Sequence, residues 1–221
     1  MIQYECGCVN DVDPLCFAQF NISKCHFHKR HQQDVGDLGR NYYEKLGIDP
    51  ANKEMYERQF MDGFGQLPSS DGRSIIEIGC GTSPYVNLFT NKGWEYIGLD
   101  PSLFACEWMT DTYDVFMIRG KLEDQTLAGR AYRAVLSAHS LEHMPDPRAA
   151  LTIMHRILDD GGNLYLLIPD DTDLWNPDHL WFFSPATIRR LLEQIGFEIV
   201  SLNLRRHTDV ENYIYITARK P

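Results

Sequence analysis

The sequence predicts an α/β fold built on a mostly parallel sheet, and two observations carry this prediction. From Ser74 onward, short apolar segments alternate with segments of helical character, as in a parallel sheet that helices cover on both faces. The last two predicted strands are separated by only about seven residues. Because this connection is too short for a crossover helix, we expect these two strands to form an antiparallel hairpin.

The elements follow one another regularly along this part of the chain. The predicted strands are residues 74–79, 95–100, 115–120, 133–139, 163–169, 197–204 and 212–218. The predicted helices are residues 85–92, 103–112, 147–158 and 185–195. Glycines follow three of these helices, as is common at helix C-termini: Gly93, Gly161-Gly162 and Gly196. Residues 73–221 are therefore expected to form the main domain.

Two segments with a different character precede this domain. Residues 1–31 are rich in cysteine and histidine, and residues 32–72 have the pattern of a helical connector interrupted by glycine and proline. Tyr42 and Tyr43 lie in this connector, which is a candidate lid over a ligand site, although such tyrosines are more often core residues.

Bulk properties disfavour some classes of function. The net charge is −10 and the isoelectric point about 5.2, which disfavours a nucleic acid as the partner. The sequence has no apolar run of about 18 residues or more, and its first residues do not resemble a secretory signal. We therefore expect a cytoplasmic protein with no membrane partner; the oligomeric state is not readable.

A glycine-rich loop follows the first predicted strand. Gly79 and Gly81 permit a tight turn and a close approach of a ligand to the backbone. In an open α/β sheet, ligands bind at the carboxyl ends of the strands, and Asp100 ends the next strand, where its carboxylate can accept hydrogen bonds from ribose hydroxyls. Ser83 is a candidate cap for the following helix, and Pro84 suits its first turn.

The same pattern is compatible with a dinucleotide-binding fold, and two residues argue against this alternative. Pro84 occupies the place of the third glycine, which allows a helix to approach a pyrophosphate closely. Glu77 lies inside the strand, where its carboxylate can organise the loop and receive a cationic ligand but would repel a pyrophosphate.

In this order and spacing, several motifs together resemble class I S-adenosylmethionine (SAM)-dependent methyltransferases of the small-molecule and sugar branch. The motifs are residues 77–82, 98–100, 137–147, 161–169 and 179–184. The resemblance covers about residues 70–220 and implies a Rossmann-like, seven-stranded sheet with an antiparallel last strand. It also implies SAM contacts, with Leu122 packing on the adenine ring and Glu123 or Asp124 receiving its amine. The full set of expected cofactor-binding residues is Glu77, Gly79, Cys80, Gly81, Asp100, Pro101, Leu122, Glu123 and His139.

Candidate catalytic residues follow the fourth strand. His139, Glu142 and His143 lie there, and histidine suits a general base because it titrates near neutrality. One alternative is that Glu142 and His143 only brace the loop. The other is that His139, Glu142 and His143, together with the distant His179, bind a catalytic metal. Asp170, Asp171 and Asp173, after the fifth strand, could face the acceptor or simply belong to a turn or cap.

The N-terminal segment offers a second chemistry. The predicted ligands of a structural zinc ion are Cys6, Cys8, Cys25 and His28, because thiolates and imidazole suit tetrahedral zinc. Cys16, His26 and His31 are possible substitutes, and free thiols are the alternative.

The sequence therefore predicts methyl transfer from SAM to a small-molecule acceptor, such as a sugar, a lipid-linked compound or a natural-product intermediate. Two alternatives remain open. One is a cofactor-binding or interaction module without turnover, and the other is methylation of a nucleic-acid or protein end.

Overall fold

A computed structural model describes residues 50–65, 67–70, 72–122, 127, 129–170, 179–206 and 212–221. The helices are α1 (Pro50–Phe64), α2 (Val86–Thr90), α3 (Leu103–Tyr113), α4 (Pro147–Ile157) and α5 (Pro185–Ile195), and a 3-10 turn spans Leu141–His143. The strands are β1 (Ser74–Ile78), β2 (Glu95–Asp100), β3 (Phe116–Arg119), β4 (Tyr132–Ala138), β5 (Leu158–Pro169), β6 (Glu198–Arg206) and β7 (Asn212–Arg219).

The seven described strands form one sheet in the order β3-β2-β1-β4-β5-β7-β6. Strands β1 to β5 pair in parallel, whereas β7 is antiparallel to both of its neighbours, β5 and β6. The predicted mixed sheet and its terminal hairpin are confirmed. Strand order reverses between β1 and β4, which places the carboxyl ends of these two strands at the expected ligand crevice.

The sheet separates two apolar layers. Successive residues of β1 point to opposite faces, so that Ile75 belongs to one buried cluster and Ile76 to the other. Phe60 of α1 and Phe89 of α2 complete the first layer, and Leu151 of α4 belongs to the second. None of the described helices combines the length and the apolar character needed to cross a lipid bilayer.

Helix α1 packs on the sheet in the region predicted to be a connector. Its Phe60 is fully buried, and the carbonyl oxygen of Gly63 accepts a hydrogen bond of 3.2 Å from Asn203 of β6. Gly63 also lies against the ring of Tyr215, which leaves no room for a larger residue. The domain boundary at residue 73 remains a prediction, and α1 contributes to the same core.

The prediction that Gly161 and Gly162 end a helix is wrong. Helix α4 ends at Ile157, and β5 begins at Leu158, which pairs with Tyr132 before the register shifts. The two glycines lie inside β5 instead, where Gly161 donates to Lys220 and Gly162 accepts from Lys220. Gly161 has a φ of 70°, so glycine allows the strand to accommodate this irregularity.

Candidate functional site

The glycine loop leaves the carboxyl end of β1 as a tight turn. Gly79 and Gly81 have φ values of 67° and 51°, in the left-handed region that favours glycine. The backbone N–H groups of Gly79 and Cys80 both donate to the carbonyl oxygen of Leu99, at 2.8 and 3.2 Å. The loop is therefore fastened to the carboxyl end of β2.

Asp100 fixes the other side of this loop. Its Oδ2 accepts a hydrogen bond of 2.8 Å from the Gly81 N–H, and its Oδ1 accepts one of 2.8 Å from the Ser102 N–H. The side chain is almost completely buried. These two bonds orient the carboxylate at the carboxyl end of β2, the position from which the resemblance implies contacts to ribose hydroxyls.

Glu77 lies beneath the loop as a buried carboxyl group. Its Oε2 accepts hydrogen bonds from the hydroxyl groups of Ser83, at 2.7 Å, and Tyr96. Burial raises the pKa of Glu77 to about 7, an effect that the two hydrogen bonds oppose and the nearby charge of Asp100 increases. Glu77 therefore links β1, β2 and the segment after the loop, as a carboxyl group that titrates near neutral pH.

Ser83 does not cap the following helix. Helix α2 begins at Val86 without a side-chain hydrogen bond from Tyr85 at its N-cap, and the Ser83 hydroxyl accepts from the Tyr85 N–H while donating to Glu77. The Ser83 hydroxyl group binds the buried carboxyl group of Glu77, because a buried acceptor needs a hydrogen-bond donor.

We expect the substitution Glu77→Gln to change how stability depends on pH. As pH rises from about 4.5 to 7, the unfolded chain loses the Glu77 proton while the folded chain retains it, so stability falls until the folded state also ionises. The rise of the pKa from 4.5 to about 7 corresponds to a cost of about 3 kcal/mol for ionising Glu77 in the folded protein. Glu77→Gln removes this cost, so above pH 7 the variant is expected to be more stable than the wild type by at most this amount. Urea unfolding of both proteins at pH 5 and pH 8 measures this difference. Glu95→Gln, at an exposed position of β2, is the control, and equal pH slopes for wild type and Glu77→Gln would refute the prediction.

The other expected cofactor-binding residues surround the loop. Cys80 is buried, and burial raises the pKa of its thiol well above the usual value, so the thiol is neutral at physiological pH. Leu122 is buried in the apolar layer that contains Leu99. Pro101 is exposed next to Asp100, and Glu123 lies outside the described residues, as does Asp124.

His139 follows β4 in an unusual backbone conformation. Its φ is 51°, in the left-handed region that a residue with a side chain seldom adopts, and its N–H donates to Leu167 of β5 at 2.9 Å. Its ring meets the ring of Tyr213 edge to face, with 4.7 Å between the centroids. Such conformations are concentrated at functional sites, where the surrounding structure enforces them.

Three imidazoles converge on the carboxylate of Glu142. Oε1 of Glu142 lies 3.8 Å from Nδ1 of His139, 4.0 Å from Nε2 of His143 and 4.0 Å from Nε2 of His179. Glu142 is fully buried and His179 nearly so, whereas the side chains of His139 and His143 are each about one third exposed. We call these four residues the histidine–glutamate cluster.

Backbone hydrogen bonds bring His179 to this cluster. The carbonyl oxygen of Glu142 accepts from the N–H groups of Leu180 and Trp181, at 2.8 and 3.1 Å. The indole N–H of Trp181 donates to the carbonyl oxygen of Met144 at 2.9 Å. The segment that carries His179 is thus bound along the 3-10 turn that carries Glu142 and His143.

Burial and the neighbouring His143 lower the pKa of His179 to about 4. At neutral pH this imidazole is therefore uncharged, and it supplies a lone pair and an N–H group rather than a positive charge. His139 and His143 are the members of the cluster whose side chains are partly accessible from solvent.

Sequence reasoning missed several contributors to the site. Tyr96 and Ser83 bind Glu77, and Ser140 packs so closely against Gly79 that an ideal Cβ there would lie 2.6 Å from the Ser140 hydroxyl. Asp170, a candidate acceptor residue, is buried and pairs with Phe183 and Asn212 through its backbone. The contact between the Ser140 hydroxyl group and Gly79 cannot be recognised in the sequence, because it arises from the pairing of β1 with β4.

Several predicted residues lie outside the described part of the chain. These are Cys6, Cys8, Cys25 and His28 of the zinc prediction, Tyr42 and Tyr43 of the lid, and Asp171 and Asp173 of the acceptor prediction.

Comparison with known proteins gives a consistent picture. The model of a family described as a methyltransferase domain matches residues 52–202. An O-methyltransferase from Pyrenophora dematioidea is 29% identical over 68% of this chain and 64% of its own length. The O-methyltransferase resE from Aspergillus sclerotiorum is 26% identical over 75% of this chain and 70% of its own. The chain thus spans just under two thirds of the first relative.

A solved structure shares the fold. The SAM-dependent methyltransferase from Mesorhizobium loti superposes with a TM-score of 0.59 at 17% identity, over 69% of this chain and 93% of that one. The family match spans more than half of the chain, and the seven-stranded sheet agrees with it. This chain belongs to the class I SAM-dependent methyltransferase family.

Proposed function

We propose that the protein transfers the methyl group of SAM to a hydroxyl group of a small molecule. The observation that carries this proposal is the contact of Ser140, in the segment that bears His139, Glu142 and His143, with the start of the glycine loop. Ser140 lies between His139 and Glu142 in the sequence, and its hydroxyl group donates to the carbonyl oxygen of Ile78 at 2.9 Å. A methyl donor held by the loop and a proton acceptor in the cluster would therefore lie side by side.

The chemistry requires few groups from the protein. The acceptor oxygen attacks the methyl carbon in line with the carbon–sulfur bond, which breaks and leaves S-adenosylhomocysteine. The hydroxyl proton passes to His139 or His143, and Glu142 positions the imidazole and stabilises its charged form. The names of the two fungal relatives support an oxygen acceptor, and sugars, lipid-linked compounds and natural-product intermediates are the acceptor classes to test.

We expect His143→Ala and His139→Ala to separate catalysis from cofactor binding. Loss of a general base lowers turnover by about 10²–10⁴-fold. SAM affinity should remain close to wild type for His143→Ala, because this side chain is partly exposed and is not among the expected cofactor-binding residues. The measurement is transfer of labelled methyl groups to a panel of hydroxylated compounds, alongside calorimetric SAM binding.

His155→Ala is the matched control, because this histidine of α4 packs against Phe197 outside the cluster. If both cluster variants keep wild-type turnover on an acceptor that the wild type methylates, the base assignment is wrong. If only one loses turnover, that residue is the base.

Two alternative functions make different predictions. A binding module without turnover would bind SAM but methylate none of the compounds. An enzyme that acts on a nucleic-acid or protein end would transfer label to RNA or polypeptide, which the net charge of −10 disfavours for nucleic acid.

We also propose that the N-terminal segment binds structural zinc through Cys6, Cys8, Cys25 and His28. The support is the ligand chemistry of these residue types and their clustering in the sequence. Metal analysis of the purified full chain should give about one tightly held equivalent of zinc more than the triple variant Cys6→Ser, Cys8→Ser, Cys25→Ser. Equal zinc contents of the two proteins would contradict the assignment.

A further inference from the structure

We propose that Glu142, His143 and His179 form a binding site for a divalent transition-metal ion, distinct from the N-terminal cysteines. Two imidazoles and one carboxylate are a donor set that suits Zn²⁺ and related first-row ions. Only the catalytic role of this ion, the polarisation of an acceptor hydroxyl, rests on the function proposed above.

The spacing of the donor atoms is the first argument. One ligating atom from each residue lies within 4.8 Å of the others, and Glu142 Oε1 is 4.0 Å from the Nε2 atoms of both histidines. In the plane of three atoms spaced 4.0, 4.0 and at most 4.8 Å, the equidistant point lies at most about 2.5 Å from each atom, compared with about 2.0–2.2 Å for zinc bound to nitrogen or oxygen. A contraction of a few tenths of an ångström would complete three bonds.

These distances do not fit a network of direct hydrogen bonds among the same groups. A nitrogen and a carboxylate oxygen that share a proton lie about 2.7–3.2 Å apart, whereas both contacts to Glu142 Oε1 are 4.0 Å. Each imidazole nitrogen is therefore far enough from the carboxylate oxygen for a metal ion to lie between the two atoms.

Burial and backbone anchoring are the second argument. Glu142 is fully buried, and His179 has a side-chain exposure of 6%. The two side chains are therefore shielded from water, which strengthens the electrostatic attraction between an ion and its ligands. Leu180 and Trp181 donate to the Glu142 backbone and hold this arrangement before any ion arrives. A preformed site loses little conformational entropy on binding.

The exposure of His143 gives the site an open side. Its side chain is one third exposed, whereas the other two ligands are buried, so a fourth position would face the solvent beside His139. Three protein ligands with one exchangeable position are typical of catalytic rather than structural zinc. An acceptor hydroxyl bound there would lose its proton more readily, and His139 would be the imidazole left to take it.

The test uses the full chain in which Cys6, Cys8 and Cys25 are replaced by serine, so that thiolates do not compete for the metal. After chelation and removal of the chelator, this protein is titrated calorimetrically with Zn²⁺. We expect one equivalent to bind, and we expect His179→Ala, His143→Ala and Glu142→Gln in the same background to bind about 100-fold more weakly. His155→Ala is the control and should bind like its parent.

His143→Ala keeps the test valid if the substitutions at buried positions prevent folding, because His143 is partly exposed. No binding by the parent, or equal binding by parent and His143→Ala, would overturn the site. Cobalt substitution gives a second readout, since visible bands without thiolate charge transfer are expected from a nitrogen and oxygen site.

Zinc binding without methyl transfer to any hydroxyl acceptor would support this metal site and count against the proposed function. Full turnover of the chelated protein would support the proposed function and would contradict a catalytic role of the ion, whereas the binding site itself is decided by the titration.

Discussion

Replacing Gly79 by alanine is expected to reduce SAM affinity by about 100-fold or more, as loss of about 3 kcal/mol implies. At a φ of 67°, a side chain is strained, and the new Cβ would lie 2.6 Å from the Ser140 hydroxyl and 2.7 Å from its Cβ. Ser140 is not free to retreat, because it donates to Ile78 and lies 3.2 Å from the Ser137 hydroxyl. The loop must therefore shift away from the position in which we propose that it receives the cofactor.

The control for Gly79→Ala is Gly129→Ala, which has a φ of 77° and no atom within 4 Å of the added Cβ. Gly129→Ala imposes a similar backbone strain but creates no close contact between the new Cβ and a neighbouring side chain. The double variant Gly79→Ala, Ser140→Gly should recover part of the lost affinity, because it removes the colliding side chain. Calorimetric titration with SAM, with thermal unfolding to confirm the fold, measures all three. Wild-type affinity in Gly79→Ala would show that the loop does not hold the cofactor.

Replacing Asp100 by alanine is the second substitution with a large expected effect. It removes the acceptor of two backbone hydrogen bonds of 2.8 Å, from Gly81 and Ser102, and the carboxylate proposed to receive the ribose hydroxyls. A hydrogen bond to a charged group contributes about 1.5–3 kcal/mol, so we expect SAM affinity to fall by about 100-fold.

Asp100→Asn refines this experiment, since an amide retains the shape of the side chain but accepts from only one of the two N–H groups. We expect an intermediate loss of affinity. Asp111→Ala, at an exposed position of α3, serves as the matched control. Unchanged SAM binding by Asp100→Ala would contradict the assignment of the cofactor site.

The sequence predicted the fold well because the fold depends on local patterns. The apolar strands, the glycine after α5 and the short β6–β7 connection each leave a mark within a few residues of the chain. The error at Gly161 and Gly162 has the opposite origin. Their role depends on hydrogen bonds to Lys220 near the chain end, and such a partner is not visible in the local pattern.

The candidate site was predicted only in part for the same reason. Glycines and an acid at the right spacing pointed to the loop and to Asp100, because the spacing reflects one strand, one turn and the next strand. The contact of His179 with Glu142 arises instead from backbone hydrogen bonds of Leu180 and Trp181 across the tertiary structure. Likewise, burial sets the pKa of Glu77, and burial at a given residue is a property of the assembled sheet.

The central claim is that the loop between β1 and α2 holds SAM rather than a dinucleotide. Its most direct test is calorimetric titration of the full chain with SAM and, separately, with NAD⁺. Glu77 beneath the loop and Pro84 in place of a third glycine predict that SAM binds with one equivalent and that NAD⁺ gives no binding heat. Binding of NAD⁺ by a folded protein that does not bind SAM would contradict it.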